Sequence, residues 1–278
     1  MAKTVKSNSL ASIPGTLVLV GAGKMGGAML EGWLARKLPP KKVVVIEPQP
    51  SKAIKALAKR GVRINPKAGI GTAAAIVLAV KPQTAPEALP PLALLAGPKT
   101  AVVSIMAGRT LGFLEKYFPK SAVVRAMPNT PAAISRGITV GVGNTRMTAT
   151  AKKLAHGLLA ATGSVEWTSD EALMDAVTAV SGSGPAYVFL LAEAMAQAGE
   201  AAGLPRALAE KLARETVSGS GELLRQSPLP ASTLRQNVTS PGGTTAAALE
   251  VLMGNEGVPP LMTKAVAAAA RRGKELAG

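Results

Sequence analysis

Two glycine-containing turns carry the chemistry that this chain can do. The first, Gly21-Ala22-Gly23-Lys24-Met25-Gly26, fits GxGxxG and stands between a short apolar run and a helical pattern. That context suits a dinucleotide: Gly21 permits the tight turn, Gly23 admits the pyrophosphate, and Gly26 lets helix and strand pack closely. The second, Pro241-Gly242-Gly243-Thr244-Thr245, directly precedes another helical run. Its glycines allow positive φ and close approach of a ligand, the first-turn amides of the helix can meet an anion, and two hydroxyls can donate or accept. The first turn names a cofactor class; the second is where a substrate would be held.

Further polar groups fall where the cofactor cleft should lie. Glu47 ends the apolar run Val43–Ile46, at about the ~20-residue spacing where a carboxylate accepts from the adenosine ribose and favours NAD. Ser51 and Lys52 lie just beyond at a helix start, where a 2′-phosphate could be held. The two signals conflict, so use of both NADH and NADPH is expected. Ala79-Val80-Lys81-Pro82 closes another apolar run at its carboxyl end, the ligand side of an open α/β sheet. Lys81 can touch phosphate or stand solvated there. Ala107-Gly108 and Asn129, between Pro128 and Pro131, fall on the same rim; Asn129 offers a donor and an acceptor to a ligand or to its own turn.

The elements that position these groups follow from apolar patterning. Thr16–Val20, Val43–Ile46, Ala75–Val80, Ala101–Ile105 and Ala122–Val124 are almost continuously apolar, as parallel strands buried on both faces are. Helical stretches at Lys24–Lys37, Ser51–Arg60, Thr84–Leu95 and Thr110–Tyr117 alternate with them, which defines a Rossmann-type, doubly wound α/β sheet. Ile138–Val142 and Val165–Trp167 are expected as edge strands around a helix at Ala149–Ala161. From about Asp170 the pattern becomes all-helical: Glu171–Val180, Pro185–Ala202, Arg206–Arg225, Thr245–Met253 and Pro260–Leu276. The expected division is a disordered extension over 1–14, a dinucleotide-binding domain over 15–168 and a helical domain over 169–278. The Pro185 helix is apolar nearly all round (Val188, Phe189, Leu190, Leu191, Met195), so a partner subunit is expected to cover it.

Composition narrows the classes. The 278 residues include no cysteine and a single histidine, His156, so thiolate and histidine-cluster metal sites are excluded and no metal is expected. The net charge of +16 comes from scattered residues, and aromatics are 3%. Nucleic-acid binding is therefore disfavoured against anionic small ligands. No apolar run reaches the ~18 residues of a membrane span, and the start has no secretory pattern; a cytoplasmic location is expected. Ser183 is read as capping the Pro185 helix, and His156 as exposed.

Taken together, GAGKMGG at Gly21, AVKP at Ala79, SIMAG at Ser104, RAMPNTPAAI at Arg125, SGSGPAYVF at Ser181 and LRQNVTSPGGTTAAALEVL at Leu234 resemble the pyrroline-5-carboxylate reductase family, in the family's order and over nearly the whole chain. The resemblance implies an N-terminal nucleotide-binding domain and a helical C-terminal domain. It implies interlocked dimers, which can assemble into decamers, and hydride transfer from NADPH or NADH to the C=N bond of Δ1-pyrroline-5-carboxylate, giving L-proline. By the same resemblance, Gly242, Gly243, Thr244 and Thr245 hold the substrate carboxylate on backbone amides with help from Ser240, and the Thr245 hydroxyl orients the ring nitrogen or relays its proton. The turn could complete a neighbouring subunit's cleft. Two positions depart from the family pattern: Asn65 sits early in its loop, with Ala68 at the usual asparagine position, and Arg109 stands where an apolar residue is common, as a surface residue or an extra anion contact. A β-hydroxyacid dehydrogenase shares the two-domain plan but needs a lysine in the helical domain; Ser181–Pro185 has none. A nucleotide-binding protein without catalysis is a further alternative.

Overall fold

The computed structural model describes residues 10–277. These form two compact units, one ending at Gly182 and regaining the chain from Ala270, the other Ser183–Ala269.

The first unit is built on an eight-stranded sheet of order β3-β2-β1-β4-β5-β6-β7-β8. Its elements, in chain order, begin with β1 (Leu17–Val20), α1 (Lys24–Ala35), β2 (Val43–Ile46), α2 (Lys52–Ala56), β3 (Arg63–Ile64), β4 (Ala75–Leu78) and α3 (Ala85–Ala88). They continue with β5 (Ala101–Ser104), α4 (Leu111–Glu115), β6 (Ala122–Met127), β7 (Gly137–Gly143), α5 (Ala149–Leu159), β8 (Gly163–Trp167) and α6 (Met174–Val177). The apolar runs become buried strands because alternate side chains enter two cores. Leu17, Leu19, Val43, Val45, Val77 and Val103 pack with Met29, Leu30 and Trp33 of α1 and Leu158 of α5. Val18, Val20, Val44, Ile76, Leu78 and Val102 pack on the other face with Leu89, Leu114, Phe118 and Met174. Trp33 Nε1 donates to the Leu158 carbonyl at 2.8 Å, so the largest buried side chain also has its polar atom satisfied.

Several expectations change in detail. β7 is not an edge strand: it lies between β6 and β8, antiparallel to β6 and parallel to β8. The missed β3 is two residues long and half-buried, too short for an apolar period. The stretch Thr84–Leu95 is not one helix, because Pro86, Pro90 and Pro91 interrupt it; only α3 is α-helical and tight turns flank it. Of the extension expected over 1–14, residues 1–9 lie outside the described residues. Leu10 and Ile13 do not behave as an extension: both are buried in the core, and Lys42 Nζ donates to the Ile13 carbonyl at 2.6 Å.

The expected boundary after residue 168 also moves, since the chain up to Gly182 stays with the first unit. Met174 is buried in the second core, and an ion cluster ties the same segment to the sheet. Arg125, inside β6 with its side chain only 6% exposed, pairs with Glu171 Oε1 at 3.0 Å and Asp175 Oδ1 at 3.4 Å. Glu171 also accepts from the Leu111 N–H at the start of α4, at 2.8 Å. A buried guanidinium needs such partners, and here they come from the segment after β8.

The second unit contains α7 (Gly184–Ala201), α8 (Arg206–Gln226), α9 (Ala231–Asn237), α10 (Thr244–Leu252) and α11 (Val258–Ala277), whose last residues belong to the first unit. α9, with Leu234 as its one large apolar residue, gave no helical period. α7 and α8 meet through Ala196, Ala209 and Ala213, and little else in the unit is buried. Within this single chain Phe189 and Leu190 are 66% and 64% exposed.

Candidate functional site

The residues expected to hold the cofactor all lie within the first unit. Gly21 has φ +89°, and a Cβ there would come within 2.6 Å of the Ala79 carbonyl, so only glycine fits where β1 ends beside β4. At Gly26 a Cβ would collide with the Gly21 carbonyl, whereas at Gly23 it would meet nothing within 4 Å. Gly21 and Gly26 therefore close the turn on itself, and Gly23 leaves open the position a pyrophosphate needs. This is the fit of a dinucleotide: Lys24 and Met25 start α1, and no side chain caps that helix.

The rim around the turn is tied by polar contacts. Glu47 accepts from the Ala22 N–H (Oε2, 2.8 Å) and from the Gln49 N–H (Oε1, 3.0 Å). Ser51 is the N-cap of α2 and accepts from the Ile54 N–H at 3.2 Å, which leaves its proton for a ligand; Lys52 beside it is exposed. Ala79 and Val80 line the β4 end half-buried, and Lys81 stands exposed before the Pro82 turn. Gly108, with φ +71°, shapes the turn after β5, and Ala107 beside it is exposed. Arg109 is neither free on the surface nor poised for an anion: Nε and Nη2 both donate to the Pro82 carbonyl, at 3.1 and 2.8 Å, and the guanidinium lies 4.6 Å from the Phe113 ring centre. It links the rim segments after β4 and β5.

Asn129 Oδ1 accepts from the Ile138 N–H at 3.0 Å, so its acceptor braces the β6–β7 connection and its amide donor is what remains for a ligand. His156 is half-buried rather than exposed, because its Nδ1 accepts from Trp167 Nε1 at 3.2 Å. Among the described residues no group of three or more His, Cys, Asp or Glu side chains could hold a metal, and no helix is long and apolar enough to cross a membrane.

The substrate candidates Ser240, Gly242, Gly243, Thr244 and Thr245 form one feature of the second unit. Gly243 N–H donates to the Ser240 carbonyl at 3.1 Å, and Gly242 has φ +67°. Proline at the second position and a left-handed glycine at the third are what a type II turn requires. Gly243 is the N-cap of α10 and provides no side-chain cap, so the amides that follow are left to other partners. Thr245 is half-buried in the first turn of that helix. Ser183 holds the N-cap position of α7 but its side chain makes no capping bond; a π-helical turn, Thr178–Gly182, leads into it instead.

Sequence reading missed the contacts of Arg109 and Asn65 and the cluster around Arg125. An arginine inside the apolar run Ala122–Met127 was a usable signal for the last, since buried charge demands a carboxylate.

A glycine-turn Rossmann unit followed by a helical unit fits the class of NAD(P)-type oxidoreductases. Residues 16–108 match the family model described as "NADP oxidoreductase coenzyme F420-dependent", and residues 171–276 match "Pyrroline-5-carboxylate reductase dimerisation". The chain is 40% identical to the pyrroline-5-carboxylate reductase of Synechocystis sp. over 94% of its length and 97% of that protein's. It is 38% identical to that of Pseudomonas aeruginosa over 94% and 96%. A solved pyrroline-5-carboxylate reductase from Coxiella burnetii superposes with TM-score 0.87 at 35% identity, covering 95% of this chain and 99% of that one. A Plasmodium falciparum pyrroline carboxylate reductase with NADP bound gives 0.77 at 28%, covering 96% and 99%. The chain belongs to the pyrroline-5-carboxylate reductase family.

Proposed function

We propose that this protein reduces Δ1-pyrroline-5-carboxylate to L-proline, the last step of proline synthesis, with NADPH or NADH. The carrying observation is 40% identity to one such reductase over 94% of the chain, with the Ser240–Thr245 turn inside the matched family segment. The geometry supports the same reading. A bound dinucleotide would supply the hydride, and its pyrophosphate would rest on the amides around Gly23, Lys24 and Met25. The residues of this chain then have three tasks: to place the imine carbon, to bind the carboxylate, and to keep the ring nitrogen protonated.

The protonated cyclic imine is already electrophilic, so placement does most of what catalysis needs. The uncapped start of α10 suits the carboxylate, with the Thr244 and Thr245 amides and the Ser240 hydroxyl as donors, while the Gly243 amide closes the turn on the Ser240 carbonyl. Thr245 Oγ1 would bond the ring nitrogen and relay its proton. Asn129 can add its amide donor at the cleft. The reading of these residues as the substrate site, and of Gly21 through Gly108 on the rim as the cofactor site, rests on their turn geometry and on family resemblance.

We infer further that the working unit is an interlocked dimer, able to build a decamer, located in the cytoplasm. The apolar, exposed α7 and the dimerisation segment support the dimer. In it the Gly242–Thr245 turn would complete the neighbour's cleft.

The decisive experiment follows NADPH and NADH oxidation at pH 7 with and without Δ1-pyrroline-5-carboxylate. Substrate-dependent oxidation yielding proline is expected. Cofactor binding without turnover would favour a non-catalytic nucleotide-binding protein and overturn the proposal.

A further inference from the structure

At the end of the sheet where β1, β2 and β3 lie side by side, one exposed asparagine grips the backbone of Glu47. Asn65 Oδ1 accepts from the Glu47 N–H at 2.9 Å, and Asn65 Nδ2 donates to the Glu47 carbonyl at 2.8 Å. Asn65 is itself fixed, because its own N–H donates to the Val45 carbonyl at 2.8 Å. Its φ of +47° lies in the left-handed region, which asparagine tolerates and most residues do not. A side chain that closes both backbone groups of one residue fixes the backbone from which that residue's side chain extends. Glu47 in turn reaches the glycine turn through the Ala22 N–H, so the ends of three strands are joined through one asparagine–glutamate pair.

The consequence concerns the choice between the two cofactors. Each Glu47 oxygen accepts one backbone N–H, and a carboxylate has roughly four acceptor positions, so both oxygens can still accept a ribose hydroxyl. The same negative charge opposes a 2′-phosphate, whereas Ser51 and Lys52 favour one. The balance between these depends on where the carboxylate is held.

We propose that Asn65 is a positioning residue for cofactor choice: its two bonds to the Glu47 backbone hold the Glu47 carboxylate at the glycine turn, where it favours an unphosphorylated adenosine ribose over a 2′-phosphate. This rests on the reading of Glu47 as the ribose contact. Without the clasp the Glu47 backbone loses two bonds, the carboxylate is held by the Ala22 and Gln49 N–H groups alone, and Ser51 and Lys52 gain weight.

The test compares Asn65→Gly and Glu47→Gln by the ratio of kcat/KM for NADPH to that for NADH. Glycine keeps the left-handed backbone and removes only the side-chain bonds. For Asn65→Gly the ratio is expected to rise about tenfold, chiefly through a higher KM for NADH, with kcat within about twofold of the parent. Glu47→Gln should raise it at least as far as Asn65→Gly. A shift for Glu47→Gln with none for Asn65→Gly would overturn the positioning role and leave the Glu47 reading standing. No shift for Glu47→Gln would sink that reading and this proposal with it. Equal loss for both cofactors in Asn65→Gly, with a lowered Tm, would show a merely structural asparagine.

Discussion

The two units of this chain treat apolar residues in opposite ways. In the first, Leu17, Val18, Leu19, Val43, Ile76, Leu78 and Val102 are fully buried, and the sheet is covered on both faces. In the second, only three alanines are buried, and Val188, Phe189, Leu190 and Leu191 lie open along one helix. A patch of that size on a single chain marks an interaction surface. The first unit thus has its own core, whereas the second buries little apolar surface within one chain. The same contrast separates the two turns: Gly21 and Gly26 are locked by contact with their neighbours, whereas a Cβ at Gly242 would meet nothing within 4 Å.

The sharpest way to break that contrast is to charge the open surface. Phe189→Glu should abolish self-association and lower proline formation by about 100-fold or more, equivalent to about 2.7 kcal/mol, while NADPH still binds. Light scattering and cofactor fluorescence check the two halves. Retained assembly would show that α7 is not the contact. The next largest effect should fall in the first unit. Arg125→Met leaves Glu171 and Asp175 without their cation, and breaking a buried pair costs about 3 kcal/mol. Part of Glu171 is exposed and reduces that figure, but denaturant unfolding should still show a clear loss of stability. An unchanged midpoint would mean that the segment up to Gly182 is held by packing alone.

Thr245→Ala tests the second unit's chemistry. A drop in kcat/KM of about tenfold or more, near 1.4 kcal/mol, is expected with assembly unchanged; full activity would make the hydroxyl dispensable. Smallest is Arg109→Leu, which frees the Pro82 carbonyl. The KM for the cofactor should rise about threefold at constant kcat, and steady-state rates over a range of NADPH concentrations measure it.

Much of this was legible beforehand, for identifiable reasons. Val43–Ile46 forms β2 with the bounds its apolar run gave, and the glycine positions of the first turn follow from backbone sterics that any sequence must obey. The long helices α7, α8 and α11 came from period and from Gly or Pro breaks. Less was visible where the partner is distant in the chain. His156 meets Trp167 across α5 and β8, and Arg125 meets carboxylates from the segment beyond β8. Arg109 finds its carbonyl at Pro82 on the neighbouring rim. Nothing local distinguishes His156 or Arg109 from a solvated residue, whereas Arg125 stands out as a charge inside an apolar run.

By itself the sequence determined the fold class, the glycine turn after β1 and the glycine-threonine turn before α10, because φ restrictions, apolar period and helix starts are local properties. Only the tertiary structure decided that Glu47 is clasped by Asn65, that the first unit extends to Gly182, and that α7 stands open in the single chain. Those outcomes depend on which strand ends become neighbours and on how much apolar surface one chain can cover, and both are set by packing across the whole molecule.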